Sequence, residues 1–167
     1  MDGPSVKKVD RRSLGTRESA VLGWREWLEM PSLGIDRIKA KIDTGARTSS
    51  IHAFDVQTTF ERGAPHVTFN VSPMQRRRKP VISCLAEIHD ERVITSSSGH
   101  RQERYVIKVE IGFGTERWPI ELTLANRDLM GFRMLLGREA LRGRFLVNPS
   151  KSYILGKSRA LITRSVP

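Results

Sequence analysis

Cysteine is nearly absent from this chain: Cys84 is the sole one in 167 residues, which excludes an intramolecular disulfide. It sits in the strand-like run from Val81 to Ala86, where a small buried hydrophobe is expected rather than a nucleophile. Aromatic residues are scarce, and no apolar run approaches the roughly 20 residues a membrane-spanning helix needs. Residues 1–20 carry no apolar segment of the kind a secretory signal requires. A soluble, cytoplasmic protein without a membrane partner is therefore expected. His-Glu-x-x-His is missing, and His52, His66, His89 and His100 stand far apart, so no metal site is expected. No glycine loop ending in lysine is present to cradle phosphates, and no cofactor is expected. The Gly-x-Ser-x-Gly elbow of serine hydrolases is missing as well.

Acidic residues are in deficit too: 18 face 29 lysines and arginines, for a net charge of +11. Such an excess fits an acidic partner: RNA, a ribosome surface or a glutamate-rich peptide. The plainer account, a well-solvated basic surface, has equal weight, since charge argues about association and not about fold. The cluster Arg76-Arg77-Arg78-Lys79 shows the same duality. It reads as a solvated loop or as a contact for phosphate or acidic peptide, and no aromatic residue interleaves with it to stack on bases.

What is present is a succession of short alternating segments. Val67, Phe69 and Val71 alternate with polar neighbours; so do Tyr105, Ile107, Val109 and Ile111, and then Ile120, Leu122 and Leu124. Further strands are expected over 21–27, 35–42, 49–60, 81–88, 92–95, 135–136, 145–147 and 153–155, with Trp24 and Trp27 marking a buried face. A helical turn is expected over 126–130 and a short helix opening at Arg138. With glycine and proline at the turns, this argues an all-β domain, a closed or partly closed barrel. The domain is placed at 21–156, between a disordered basic arm (1–20) and a flexible tail (157–167).

One stretch organises the rest. Ile38, Ala40 and Ile42 alternate with Lys39 and Lys41, and the strand runs straight into Asp43-Thr44-Gly45-Ala46. Gly45 bends the chain, and a turn of this kind holds a carboxylate near the backbone amides that follow it. By local pattern alone, bonding to its own turn is the favoured account of Asp43. A second apolar run, Leu135-Leu136, ends in Gly137-Arg138. Between the two, Ser96-Ser97-Ser98-Gly99-His100 forms the small, flexible tip of a hairpin.

Together these motifs resemble the retropepsin-like aspartic peptidases, over about residues 21–156. The likeness extends to a bacterial branch often labelled "ATP-dependent zinc proteases", through Gly23-Trp24-Arg25-Glu26, residues 38–52, 92–99, 121–130 and 134–141. The resemblance implies a closed six-stranded-type acid-protease barrel with a hairpin flap and one short helix near the C-terminus. It implies Asp43 as the catalytic residue, with Thr44, Gly45 and Ala46 as its loop. Leu135, Leu136, Gly137 and Arg138 become the support beneath that loop, and Ser96, Ser97, Ser98, Gly99 and His100 the flap. The branch is linked with ligases that add glutamates to a ribosomal protein, which implies an acidic or ribosomal peptide substrate. The chain holds a single Asp-Thr-Gly triplet, so a catalytic pair requires a homodimer. Viral members carry an acidic residue four positions after the aspartate, paired with the arginine of the second motif. Here that position is Arg47, so Arg138 needs another partner. Asn148 stands where the branch shows aspartate, and a structural role is expected for it.

Two rivals remain from the residues alone. One is a non-catalytic module of the same fold that binds an acidic peptide or a ribosomal component. The other is a nucleic-acid-binding barrel driven by the positive charge.

Overall fold

The computed structural model describes residues 19–95, 98–126 and 131–156. The expected arm and tail fall almost wholly outside these residues, as do positions 127–130 of the expected helical turn. Among the described residues the chain is mostly β with one short helix. The strands are β1 (Ala20–Gly23), β2 (Arg25–Met30), β3 (Ile35–Asp43), β4 (Ser49–His52), β5 (Phe54–Glu61), β6 (Ala64–Val71), β7 (Ile82–Glu87), β8 (Asp90–Thr95), β9 (Arg101–Phe113), β10 (Glu116–Ala125), β11 (Met134–Gly137) and β12 (Phe145–Asn148). The helix, α1, is Arg138–Leu141.

Seven strands form the main sheet in the order β10-β4-β11-β3-β2-β9-β8, and β9 also pairs with β10. The pairings therefore return on themselves. Most are antiparallel; β11 runs parallel to β3 and β4 parallel to β10. β5, β6 and β7 make a separate antiparallel sheet, and β1 pairs in parallel with β12. Alternation sets which side chains go in. Ile38, Ala40 and Ile42 of β3 meet Ile51, Ile107, Leu122 and Leu136 in one core, and Val67, Phe69 and Val71 extend it under the smaller sheet. Each fully buried aliphatic side chain is worth roughly 1.5–3 kcal/mol of transfer free energy.

Four expectations are corrected. The strand over 21–27 is two strands broken at Trp24, whose N–H donates to the Lys151 carbonyl (2.9 Å) while its own carbonyl accepts from Ile42 (2.9 Å). The buried face of β2 carries Glu26, Leu28 and Met30, not the tryptophans. Trp27 lies on the other face, where the Arg37 guanidinium stacks 3.9 Å from its ring centroid. The strand over 49–60 divides at Ala53, whose N–H is taken by the Ala125 carbonyl (3.0 Å), and its halves enter different sheets. Residues 153–155 are not a strand, because the amides of Ile154 and Leu155 turn inward to the Glu26 carboxylate.

Candidate active site

β3 delivers Asp43 to the end of the parallel β3–β11 pair, in register with Gly137. There the ladder stops and the chain turns. The Asp43 Oδ1 accepts the N–H groups of Gly45 and Ala46, both at 3.1 Å, so the side chain is aimed by its own turn. Oδ2 takes no hydrogen bond among the described residues. The carboxylate is half-buried, with Thr44 and Gly45 exposed beside it.

The second motif straps this loop down. The Arg138 N–H donates to the Ala46 carbonyl (2.7 Å) and that of Glu139 to the Arg47 carbonyl (3.1 Å). The Arg138 guanidinium donates to the Thr44 carbonyl at 3.1 Å, which is its answer to the missing acidic partner. Arg47 instead approaches Glu139 at 3.9 Å, an exposed and weak pair. The Gly137 N–H donates to the Ser49 hydroxyl (3.0 Å), and a Cβ at Gly137 would come within 2.5 Å of the Thr48 backbone. Glycine is needed there for close approach. Leu136 is buried opposite Ile42, and Leu135 is half-buried opposite Lys41.

The hairpin expected between the motifs is present: β8 and β9 pair antiparallel from Asp90↔Val106 to Thr95↔Arg101. Ser96 and Ser97 lie outside the described residues. Ser98, Gly99 and His100 are exposed, with Gly99 in the left-handed region (φ +84°). At the base of the hairpin Arg92 donates to Asp90 (2.8 Å) and to Glu121 on β10 (2.7 Å), and His89 approaches Glu121 at 3.3 Å. The hydrogen bond from Arg92 holds both carboxyls below their ordinary values, and the carboxylates push the arginine up. Nothing in the sequence spacing marks this cluster.

A cleft of about 1050 Å³ opens between this hairpin base, β10, α1 and the segment Arg47–Ser49 that follows the Asp43 loop. Asp43 does not line it. Arg144 stands on its wall, 5.4 Å from the ring of Trp118, which is itself fixed by donating to the Ala140 carbonyl (3.0 Å).

Other candidates sit elsewhere. His52 is buried, with its ring stacked on Phe54. His66 bonds the Ala64 carbonyl (3.0 Å). Among the described residues no three His, Cys, Asp or Glu side chains converge as a metal-holding group. No described helix is long and apolar enough to cross a membrane. Cys84 is buried against the Leu33 carbonyl, and burial pushes its thiol up to about 11. Asn148 has the structural role expected, its Oδ1 accepting the N–H and hydroxyl of Ser150 (3.0 and 2.7 Å).

Residues 21–158 match the model of a family described as RimB-like, retropepsin-like aspartic endopeptidase RimB. Two curated relatives, each named probable alpha-L-glutamate ligase, come from Shewanella pealeana and Shewanella halifaxensis. Both are 47% identical over 137 residues, 82% of this chain. The chain spans 30% of the length of these relatives. A crystal structure of a Legionella pneumophila protein of unknown function superposes with a TM-score of 0.68 at 24% identity, covering 81% of this chain and 98% of that one, and so shares its fold. With the Asp-Thr-Gly turn strapped to the Leu-Leu-Gly-Arg segment and the family match running from β1 through the last described residue, this chain belongs to the RimB-like family of retropepsin-like aspartic endopeptidases.

Proposed function

We propose that the chain is an aspartic endopeptidase whose catalytic pair forms from Asp43 of two copies. The observation that carries the reading is the Asp43 turn: one oxygen anchored by two backbone amides, the other left to react. In the dimer two carboxyls so close share one proton, since like charges at that range do not both ionise. The pair titrates as a unit. The ionised member takes a proton from water, whose oxygen attacks the scissile carbonyl carbon. The protonated member gives its proton to the carbonyl oxygen, forming a tetrahedral diol. The carboxyl that now holds the proton gives it to the amide nitrogen while the other carboxylate takes a proton from a diol hydroxyl. The C–N bond breaks, a carboxylic acid and an amine leave, and the pair again shares one proton.

The remaining parts follow from the same fold. Pairings that return on themselves support a closed six-stranded barrel. The β8–β9 hairpin serves as a flap, with Ser98, Gly99 and His100 closing over the peptide and excluding water. In the proposed dimer Thr44, exposed at the turn, ties one loop to its counterpart. For substrate we favour a glutamate-rich peptide, free or on a ribosomal protein, in the cytoplasm. Relatives named as glutamate ligases carry a segment 47% identical to this chain, and the chain's charge of +11 suits an acidic peptide.

The test is hydrolysis of a ten-residue oligoglutamate peptide followed by mass spectrometry. The wild type should cut it, and Asp43→Asn should lose at least ~10³-fold in rate. Retained binding with no cleavage by the wild type would favour the rival, a non-catalytic module of this fold.

A further inference from the structure

A second cavity, of about 730 Å³, lies at the other end of β4 from the Asp43 loop, and Asp43 is not on its wall. Its size is in the range that takes a small molecule. Among the described residues three cations line it, Arg78, Lys79 and Arg133, against one carboxylate, Asp55. That carboxylate is engaged by the Asn70 amide at 3.1 Å. Among the described residues neither Arg78 nor Lys79 forms an ion pair, and Arg76 and Arg77 add two exposed cations on the same loop.

The sequence gives that basic loop no aromatic neighbour; the fold supplies one. The β4–β5 junction brings Phe54 into the cavity, its ring stacked on that of His52 at 5.9 Å and 26°. Five consecutive residues, 52–56, share this wall. An unbroken strand would send alternate side chains to the far face. The register shift between Phe54 and Gln57, with Asp55 held at φ +51°, removes that constraint. A non-glycine residue in the left-handed region is a local cost that recurs at ligand sites.

We propose that this cavity binds a nucleotide, with the base against Phe54 and the phosphate on Arg78 and Lys79. The nucleotide is either free or one unit of single-stranded RNA. A plain acidic peptide would engage the cations but leave the ring stack and the apolar wall of Val56 and Val81 unused. The site is separate from Asp43 and does not depend on the peptidase reading.

Fluorescence anisotropy of fluorescein-labelled oligo(rA)10 on the full chain tests this, with AMP and a ten-residue oligoglutamate peptide as competitors. Arg78→Ala/Lys79→Ala should weaken binding at least ~10-fold and flatten the log–log salt dependence by about two contacts. Phe54→Leu keeps apolar bulk, removes the stack and should cost roughly fivefold or more. Asp43→Asn should bind as the wild type does, and circular dichroism should show each variant folded. Displacement by AMP identifies a free nucleotide as ligand, and displacement only by unlabelled RNA identifies the strand. The proposal is overturned if neither nucleic-acid probe binds, if the double variant binds unchanged, or if Phe54→Leu has no effect while oligoglutamate displaces the label as well as RNA does.

Discussion

Among the described residues two carboxylates, Glu26 and Asp43, are each held by more than one backbone amide, and they are held differently. Glu26 is fully buried and receives four N–H groups: Gly23, Ile154 and Leu155 on one oxygen (2.8, 2.8 and 3.4 Å) and Gly156 on the other (3.0 Å). Asp43 is half-buried and receives two, both on Oδ1. Glu26 has both oxygens committed and stitches β2 to the chain's last described residues. The glycines around it are fixed by space, since a Cβ at Gly156 would strike the Trp27 carbonyl and one at Gly23 the Lys151 carbonyl. Asp43 is anchored on one side and available on the other. Buried charge whose hydrogen bonds are all filled organises a fold; charge that is half filled and half exposed is placed to do chemistry.

Breaking the first carboxylate should give the largest effect on stability. Glu26→Ala leaves four amides without this acceptor, two buried (Gly23, Gly156) and two part-buried (Ile154, Leu155), and should cost roughly 4 kcal/mol, a large share of a domain's stability, read by urea unfolding. Asp43→Asn keeps the oxygen that the turn uses, so the same assay should move by less than about 1 kcal/mol while hydrolysis disappears. Next in size, Gly137→Ala forces a Cβ against the Thr48 backbone. It should cost about 1–3 kcal/mol and lower activity by loosening the strap on the Asp43 loop.

The smallest effects sharpen the contrast from the surface. Arg92 holds the Asp90 and Glu121 carboxyls below their ordinary values. A depressed carboxyl adds stability above its unfolded pKa and loses it as pH falls through the folded one. The advantage of the wild type over Arg92→Gln should therefore be present at neutral pH and shrink as pH drops below 4.5, the ordinary value for Glu121. These side chains are 33–45% exposed, so the difference in melting temperature should be small. Cys84, with its thiol at about 11, should resist a disulfide reagent at pH 8 until urea opens the core.

The residues that positioned Asp43 were legible in the sequence because their signals are local. Ile38, Ala40 and Ile42 alternate, Gly45 marks the turn, Gly137 ends an apolar pair, and α1 opens at Arg138 as expected. The hairpin over β8 and β9 was legible for the same reason. Glu26 was visible only as part of a motif, because three of its four partners lie 128 to 130 residues away. The same distance misled the reading of 153–155, where strand-forming side chains sit on a backbone whose amides are already taken. The second cavity was hidden likewise: Phe54 and the 76–79 loop meet through the fold and not through spacing.

The most direct measurement mixes wild type with Asp43→Asn at fixed total concentration and follows oligoglutamate hydrolysis after subunits exchange. If each active site takes one Asp43 from each of two chains, the rate should follow the square of the wild-type fraction. A rate that falls in simple proportion to that fraction, or an Asp43→Asn protein as active as the wild type, would contradict the account.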